Sequence, residues 1–159
     1  MDGILKIVDV ESSSKVIAGL LEKYRSASGS IIHVQHKTPE GAPLFTPDTP
    51  LADEFDALVA KGDEPVIWKQ APGSFTGTDL HEQIKATGKN KVVITGYMAH
   101  GCCLMTSRQS AELGLDTIVV RDAIGDRDIP GANHQQLIDT MLAGFEDMWG
   151  TVLSSKDIA

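Results

Sequence analysis

The chain has few of the features that mark specialised classes of protein. Its 159 residues include only 2 cysteines and 5% aromatic residues, and 14 basic residues stand against 22 acidic ones, for a net charge of −8. This deficit of basic residues argues against non-specific binding to nucleic acid or to anionic membranes, because both need a basic face. No apolar run approaches the ~20 residues that a membrane-spanning helix needs. The length and the 42% hydrophobic fraction predict one globular domain over residues 1–159.

The cysteines and the N-terminal residues predict where the protein resides. Cys102 and Cys103 are adjacent in the sequence, and this spacing strains a mutual disulfide. Free thiols are typical of a reducing compartment. The N-terminus also lacks the basic region followed by an apolar core that marks a secretory signal. We therefore expect a cytoplasmic protein.

Strand-like and helical patterns alternate along the chain. The predicted strands cover residues 4–8, 30–35, 65–69, 91–96, 117–121 and 151–154, and the predicted helices cover residues 12–27, 51–59, 78–86, 102–113 and 132–148. This alternation predicts an α/β fold with a parallel sheet and helices on both faces. Ligands of such sheets bind beyond the carboxyl ends of the strands. The candidate positions at those ends are Asp9, His36, Lys69, residues 97–102 and Asp122.

The segment VVITGYMAHGCCLMTSRQSAEL, residues 92–113, is the most informative part of the chain. Its β-branched run ends at Gly96, and a helical pattern begins near Gly101. The N-terminus of a helix favours a thiolate, which is the nucleophilic form of cysteine. Cys102 is therefore a candidate nucleophile, although a free cysteine is also commonly a small buried apolar residue. The second description is the one expected for Cys103, which falls on the packing side of the predicted helix.

Two further residues are candidates for the same site. Lys69 ends the strand VIWK, where an ammonium group either favours a nearby thiolate or is simply a solvated strand-end cation. His100 precedes Cys102 by two residues, which raises the possibility of a Cys–His dyad, but nothing evident in the sequence orients its imidazole. His33 and His36 would leave opposite faces of a strand, and no other pattern predicts a metal site or a cofactor-binding loop.

The ordered set of motifs resembles the isochorismatase-like cysteine hydrolases over about residues 3–158. The matching segments are SIIHVQH, PVIWKQAPGSFTGTDL, VVITGYMAHGCC…TSRQSAELGLDTIVVRDAIGD and TVLSS. The resemblance implies a three-layer α/β fold with a mostly parallel six-stranded sheet in Rossmann-like order. It also implies an Asp–Lys–Cys triad in which Cys102 is the nucleophile and Lys69 the cationic member. A small-molecule substrate, no cofactor and a homo-oligomer are further implications.

The resemblance also implies how the substrate is held. The peptide bond between Tyr97 and Met98 is expected to be cis, which turns backbone N–H groups, including that of Cys102, toward an oxyanion. Phe45, in the loop of residues 38–50, and His100 are expected to line the pocket with Tyr97. The segment HVQHKTPEGAP lacks the aspartate and two histidines of the nicotinamidase branch, so a metal-dependent amidase is disfavoured.

The N-terminus departs from the family pattern. Family chains open with a strand that ends in the triad aspartate, whereas MDGILKIVDVESSS fits better to the segment after that strand. In one alternative the base is absent, and the central slot of the sheet is left between two half-sheets with unpaired edges. In a second, residues 4–8 fill that slot and Asp9 is the base. In a third, the natural chain begins upstream of Met1.

Two functions follow from these patterns. The first is a metal-independent hydrolase of small molecules, of isochorismatase or amidase type, in which Cys102 attacks an amide or similar carbon. Cleavage of isochorismate itself, at a vinyl ether, need not use covalent attack. The second is a catalytically impaired family member that acts as a binding or assembly protein. A thiol-based redox sensor ranks below both, because adjacent helical cysteines are poor disulfide partners.

Overall fold

The computed structural model describes residues 5–50 and 52–158, in which helices and strands alternate. The strands, in chain order, are β1 (His33–His36), β2 (Val66–Lys69), β3 (Lys91–Tyr97), β4 (Asp116–Gly125) and β5 (Thr151–Leu153). The helices are α1 (Val10–Ser26), α2 (Leu80–Ala86), α3 (Leu104–Glu112) and α4 (His134–Met148). A π-helical turn, Ala99–Cys103, leads into α3, and a short 3₁₀ turn, Ser155–Asp157, follows β5.

The strands of the described residues form two parallel sheets and not one. β1 pairs with β2, and β3, β4 and β5 form a second sheet in that order. The expected six-stranded sheet is therefore wrong for this part of the chain, while the α/β class and the parallel pairing are confirmed. At the carboxyl ends of the strands, His36 is the register partner of Lys69, and Tyr97 is the register partner of Gly125.

Residues 5–8, which belong to the described part of the segment before α1, form no strand between the two sheets. Residues 5–8 form turns and irregular backbone, and residue 4 lies outside the described residues. The N–H of Val8 donates to the carbonyl oxygen of Asp126 at 2.9 Å, which places this segment beside the end of β4. Asp9 is the exposed N-cap of α1, with a φ of 52°. The prediction of a strand over residues 4–8 is therefore wrong for residues 5–8.

Most other predicted elements lie within three residues of the observed ones. The exceptions involve residues whose conformation depends on distant contacts. The predicted helix over 51–59 is absent from residues 52–59, and residue 51 lies outside the described residues. So short a helix is marginal on its own, and here Phe55 packs edge-on against the ring of Tyr97 at a centroid distance of 6.4 Å. β4 also extends four residues beyond the predicted strand, as far as Gly125.

Helices cover both faces of the three-stranded sheet, as predicted. The alternation of side chains along β4 divides its apolar residues between the two faces. Val119 packs with Phe145 of α4 on one face, and Val120 packs with Leu20 of α1 on the other. All four side chains are buried. This double burial fixes the position of β4, whose carboxyl end carries residues of the site.

α2 connects the two sheets through its apolar face. Leu80 and Ile84 of α2 are buried against Ile67 of β2, and the half-buried Val92 of β3 joins the same cluster. The two sheets are therefore held against each other by packing, although no strand of the described residues pairs with both of them.

Candidate active site

The side chains of Lys69 and Cys102 meet where the two sheets end. The Nζ atom of Lys69 lies 3.1 Å from the Sγ atom of Cys102. Lys69 is the last residue of β2 and is 4% exposed, whereas Cys102 lies in the π-helical turn after β3 and is partly exposed. The structure thus brings together the two residues that the sequence predicts as cation and nucleophile. An ammonium group at this distance stabilises a thiolate by Coulomb attraction and hydrogen bonding.

Three further acceptors hold the Lys69 side chain in place. Its Nζ atom donates to the carbonyl oxygens of Ala71 and Pro72 at 2.9 and 3.0 Å. It also donates to Nδ1 of His36 at 3.0 Å. The pKa of His36 is lowered by burial and by the charge of Lys69, which keeps the imidazole neutral and able to accept this hydrogen bond. The sequence places His36 at this edge of the sheet but indicates no role for it.

No carboxylate of the described residues hydrogen-bonds to Lys69; its partners there are the four atoms given above. Asp9, the proposed replacement for the triad aspartate, is exposed at the start of α1, where its carbonyl oxygen accepts the N–H of Ser12. The structure therefore does not bring Asp9 into contact with Lys69 or Cys102. Besides Cys102, His36 is the side chain of the described residues that hydrogen-bonds to Lys69.

The backbone that leads to Cys102 has the conformation that the resemblance implied. The peptide bond between Tyr97 and Met98 is cis. The carbonyl oxygen of Met98 then accepts the N–H groups of Gly101 and Cys103, each at 3.1 Å. These bonds form the tight turn in which Cys102 is presented. Whether its N–H groups bind an oxyanion stays a prediction.

The second cysteine of the pair belongs to the core. Cys103 is 3% exposed, and Ser107 and Ser110 on the same side of α3 are fully buried. The pKa of the Cys103 thiol is raised, first by burial and then by the negative charges of Cys102 and Asp126. The prediction that Cys103 fills core space is therefore confirmed, and the two thiols have different environments.

Asp126 orients His100, which the sequence alone did not reveal. The ring Nδ1 of His100 lies 2.7 Å from one carboxylate oxygen of Asp126, and the His100 N–H donates to the same oxygen at 2.8 Å. Asp126 is fully buried and directly follows β4. The aspartate-rich segment after β4 stands out in the sequence. Asp126 and His100 are 26 residues apart, however, so the sequence does not show that they pair.

The other predicted pocket residues lie in two places. The ring of Phe45 lies 5.2 Å from that of His36, so the loop that carries Phe45 folds against the partner of Lys69. The Tyr97 hydroxyl is 2.9 Å from Oγ of Ser13, and burial raises the Tyr97 pKa. The Tyr97 side chain is thus engaged by α1, and only its backbone is shown to shape the turn before Cys102.

Within residues 5–50 and 52–158, no group of three or more histidine, cysteine, aspartate or glutamate side chains is placed to hold a metal ion. None of the described helices is both long enough and apolar enough to cross a bilayer. The cytoplasmic location stays a prediction.

Comparison with known proteins identifies the family. The model of the isochorismatase domain matches residues 1–157. The chain belongs to the isochorismatase family. Its curated relatives include the secreted isochorismatase effector Isc1 of Verticillium dahliae, which is 52% identical over 99% of this chain and 83% of that protein. They also include the maleamate amidohydrolase of Pseudomonas putida, 27% identical over 88% of this chain and 70% of that protein.

The solved structures of the isochorismatase family share this fold. The crystal structure of an isochorismatase from Pseudomonas putida superimposes with a TM-score of 0.95 at 28% identity, over 99% of this chain and 83% of that one. A cysteine hydrolase from Pseudomonas syringae has a TM-score of 0.88 at 19% identity, over 96% of this chain and 80% of that one, which shows likeness of fold alone.

Proposed function

We propose that this isochorismatase-family protein is a metal-independent hydrolase of small molecules in which Cys102 is the nucleophile and Lys69 its proton partner. The observation that carries the proposal is the 3.1 Å contact between Lys69 Nζ and Cys102 Sγ. A lysine that is 4% exposed loses most of its hydration, so its ammonium group gains from a negatively charged neighbour. A partly exposed thiolate beside a buried ammonium is the arrangement of an activated nucleophile.

In the first step the thiolate of Cys102 attacks the carbonyl carbon of an amide, and a carbon–sulfur bond forms. The electron pair of the carbonyl moves to its oxygen, which the backbone N–H of Cys102 would stabilise, since the N–H groups of His100, Gly101 and Cys103 already donate to Asp126 and Met98. When the intermediate collapses, the carbon–nitrogen bond breaks. The departing nitrogen takes a proton from the ammonium group of Lys69, which leaves a thioester and a neutral amine on Lys69.

In the second step water attacks the thioester carbon. The neutral Lys69 amine takes one proton of that water, and the carbon–sulfur bond breaks to release the carboxylic acid. This restores the ion pair between thiolate and ammonium. The neutral His36 contributes as the acceptor that holds Nζ in place at 3.0 Å through both steps, while the carbonyl oxygens of Ala71 and Pro72 hold it from the other side.

The relatives support hydrolysis of a carbon–nitrogen bond as one of two substrate classes. A maleamate amidohydrolase, as its name says, acts on an amide, and a streptothricin hydrolase is 31% identical over 72% of this chain. The relative named as a secreted isochorismatase effector, at 52% identity, favours the second class, a vinyl ether. For a vinyl ether, protonation of the leaving group matters more than covalent attack. Lys69, which contacts Cys102, would then be the proton donor.

A second candidate function is a binding or assembly protein that keeps the fold without catalysis. It is favoured by the division of the described strands into two sheets and by the lack of a carboxylate on Lys69 within the described residues. In this alternative the contact between Lys69 and Cys102 is a structural hydrogen bond. The two functions differ in whether the Cys102 thiol is reactive at neutral pH.

The experiment that tests the proposal combines thiol mapping with turnover. Wild-type protein is treated with iodoacetamide between pH 6 and 9, and alkylation of Cys102 and Cys103 is followed separately by mass spectrometry. Maleamate and isochorismate are then offered as substrates to the wild type, to Cys102→Ala and to the matched control Cys103→Ala. We expect alkylation of Cys102 alone near neutral pH, with turnover of maleamate that is lost in Cys102→Ala and kept in Cys103→Ala. Turnover of isochorismate that survives in Cys102→Ala would instead favour the vinyl ether class, without covalent attack. Equal, slow alkylation at both positions would support the binding protein.

The oligomeric state is a further proposal. The resemblance implies a homo-oligomer, and Val66 and Trp68, two residues apart on β2, both expose more than a third of their surface, as the apolar side chains of an interaction surface do. Sedimentation velocity at micromolar concentration tests this proposal, and a single monomeric species would contradict it.

A further inference from the structure

Asp126 is a buried carboxylate that no step of the proposed mechanism uses. Its side chain is fully buried, and a buried carboxylate is tolerated only when it is well hydrogen-bonded. It accepts the main-chain N–H of His100 at 2.8 Å, and the His100 ring nitrogen Nδ1 lies 2.7 Å from the same oxygen. The N–H of Arg127 donates to the other oxygen at 2.8 Å. Three nitrogens thus surround this carboxylate.

Two of these three nitrogens lie in the turn that carries the nucleophile. His100 belongs to the π-helical turn Ala99–Cys103, and Cys102 follows it by two residues. Asp126 belongs to a different strand end, because it directly follows β4. It therefore holds this turn from the neighbouring strand, through both the backbone and the side chain of one residue. Because the turn is held at two points, the other residues in it, including Cys102, have little freedom to move.

The charge of Asp126 is unfavourable for a thiolate nearby. Its negative charge is among the causes that raise the pKa of Cys103, after burial and the charge of Cys102. A residue that activates a thiol by its charge would have to be positively charged. The position of Asp126 is thus explained by the geometry that it imposes and not by its field.

Both partners in the central contact are fixed independently. The Nζ atom of Lys69 is held by the carbonyl oxygens of Ala71 and Pro72, which lie on the chain that leaves β2. The Sγ atom of Cys102 depends on the turn after β3. Since one anchor follows a strand of the first sheet and the other follows a strand of the second, the 3.1 Å separation of Nζ and Sγ is maintained only if the turn itself is fixed.

We propose that Asp126 is a positioning residue for Cys102, which it keeps at hydrogen-bonding distance from Lys69 by holding the N–H and the ring of His100. The inference rests on the proposed function of Cys102 and Lys69. It assigns to His100 the role of a connector between a buried carboxylate and the nucleophile's turn, in place of the Cys–His dyad that the sequence suggested.

The chain contains a matched control for this pair. His134 donates its N–H to Asp128 at 2.8 Å, and its ring Nδ1 lies 2.9 Å from the same oxygen. The chemical pattern is that of His100 and Asp126, but the side chain of Asp128 is 65% exposed, against 0% for Asp126. Asp128→Asn therefore controls for the loss of a His–Asp pair as such.

The test measures the rate of alkylation of Cys102 by iodoacetamide, followed by mass spectrometry on the full chain well below its unfolding temperature. We expect Asp126→Asn to slow alkylation about tenfold, because a Cys102 that moves away from Lys69 loses the ammonium group that favours its thiolate, and Asp128→Asn to leave the rate unchanged. If only the charge of Asp126 mattered, its loss would speed alkylation. A rate in Asp126→Asn equal to or above that of the wild type would therefore overturn the proposal.

A second pair of variants keeps the test decisive if Asp126→Asn fails to fold. His100→Ala retains the backbone hydrogen bond and loses the ring, whereas His100→Asn restores a side-chain N–H near the position of Nδ1. We expect alkylation to slow in His100→Ala and to recover much of its rate in His100→Asn. Equal rates in these two variants would contradict the connecting role of the ring.

Turnover separates this inference from the proposed function. Where a substrate is hydrolysed, Asp126→Asn should lower kcat far more than it changes KM, because only the reacting atoms are displaced. If the wild type hydrolyses no substrate, the proposed function fails, but the alkylation rates still decide whether Asp126 positions Cys102.

Discussion

Lys69 and His36 are register partners at the carboxyl ends of two parallel strands, and Nζ of Lys69 donates to Nδ1 of His36 at 3.0 Å. In a parallel pair, register partners on the same face lie side by side. A buried ammonium and a neutral imidazole are thus brought together by strand register alone. Both residues belong to the first sheet, so this contact positions the ammonium group of Lys69 without any residue of the second sheet.

Replacement of Lys69 by methionine should lower the rate of Cys102 alkylation at pH 7 about tenfold. Methionine keeps an unbranched apolar side chain but removes the ammonium group that lies 3.1 Å from Sγ, so the thiolate loses its positively charged partner. Iodoacetamide labelling followed by mass spectrometry measures this rate. Lys89→Met, at an exposed position, is the control, and a Lys69→Met rate equal to that of Lys89→Met would contradict the proposed role.

The His36→Asn variant should make the free energy of unfolding less sensitive to mild acid. The pKa of His36 is lowered in the folded state by burial and by Lys69, from an ordinary value of 6.5. The unfolded chain therefore binds more protons at this residue below pH 6.5, and the wild type loses stability as the pH falls through that range. Urea unfolding at pH 7.5 and pH 5.5 measures the change. His81→Asn controls for loss of one imidazole, and a wild-type decrease that His36→Asn fully retains would argue against this assignment.

Glu64 should contribute stability that disappears in stronger acid. Its pKa is lowered to about 2, chiefly by its hydrogen bonds with Arg25 of α1. Its contribution is present above the ordinary value of 4.5 and is lost as the pH falls from there toward 2. The free energies of unfolding of the wild type and of Glu64→Gln should thus differ most at pH 7 and clearly less at pH 3, because the difference is fully lost only below the folded-state pKa. Glu112→Gln, in an exposed pair with Arg108, should show little difference at any pH, and a constant gap for Glu64→Gln would disprove the linkage.

Gly150→Ala should destabilise the fold by about 1–3 kcal/mol through overpacking. A Cβ atom at Gly150 would lie 2.4 Å from both the ring of Phe145 and the carbonyl oxygen of Thr117, and both of these residues are almost fully buried. Gly144→Ala is the opposite control, because a Cβ there meets no atom within 4 Å and alanine is favoured over glycine inside a helix. Thermal unfolding of both variants measures the effect, and similar melting temperatures would show that the clash is relieved.

Local patterns were sufficient to predict most of the elements and two of the site residues. β2 and β3 read as strands because their β-branched and aromatic residues stand between turn residues. Lys69 and Cys102 were predicted because parallel strands present their carboxyl ends at one edge. The pairing of His100 with Asp126 was not predictable in this way, because it joins residues from different strands and depends on the burial of a carboxylate.

The sequence by itself determined the α/β class, the separation of an accessible Cys102 from a buried Cys103, and the edge of the sheet where the site lies. These properties follow from hydrophobic periodicity and chain order, which act over a few residues. Only the tertiary structure decided that residues 5–8 lie beside the end of β4, that the described strands form two sheets, and that His36 contacts Lys69. Such outcomes depend on which distant groups satisfy each buried polar atom, and that information is distributed over the whole chain.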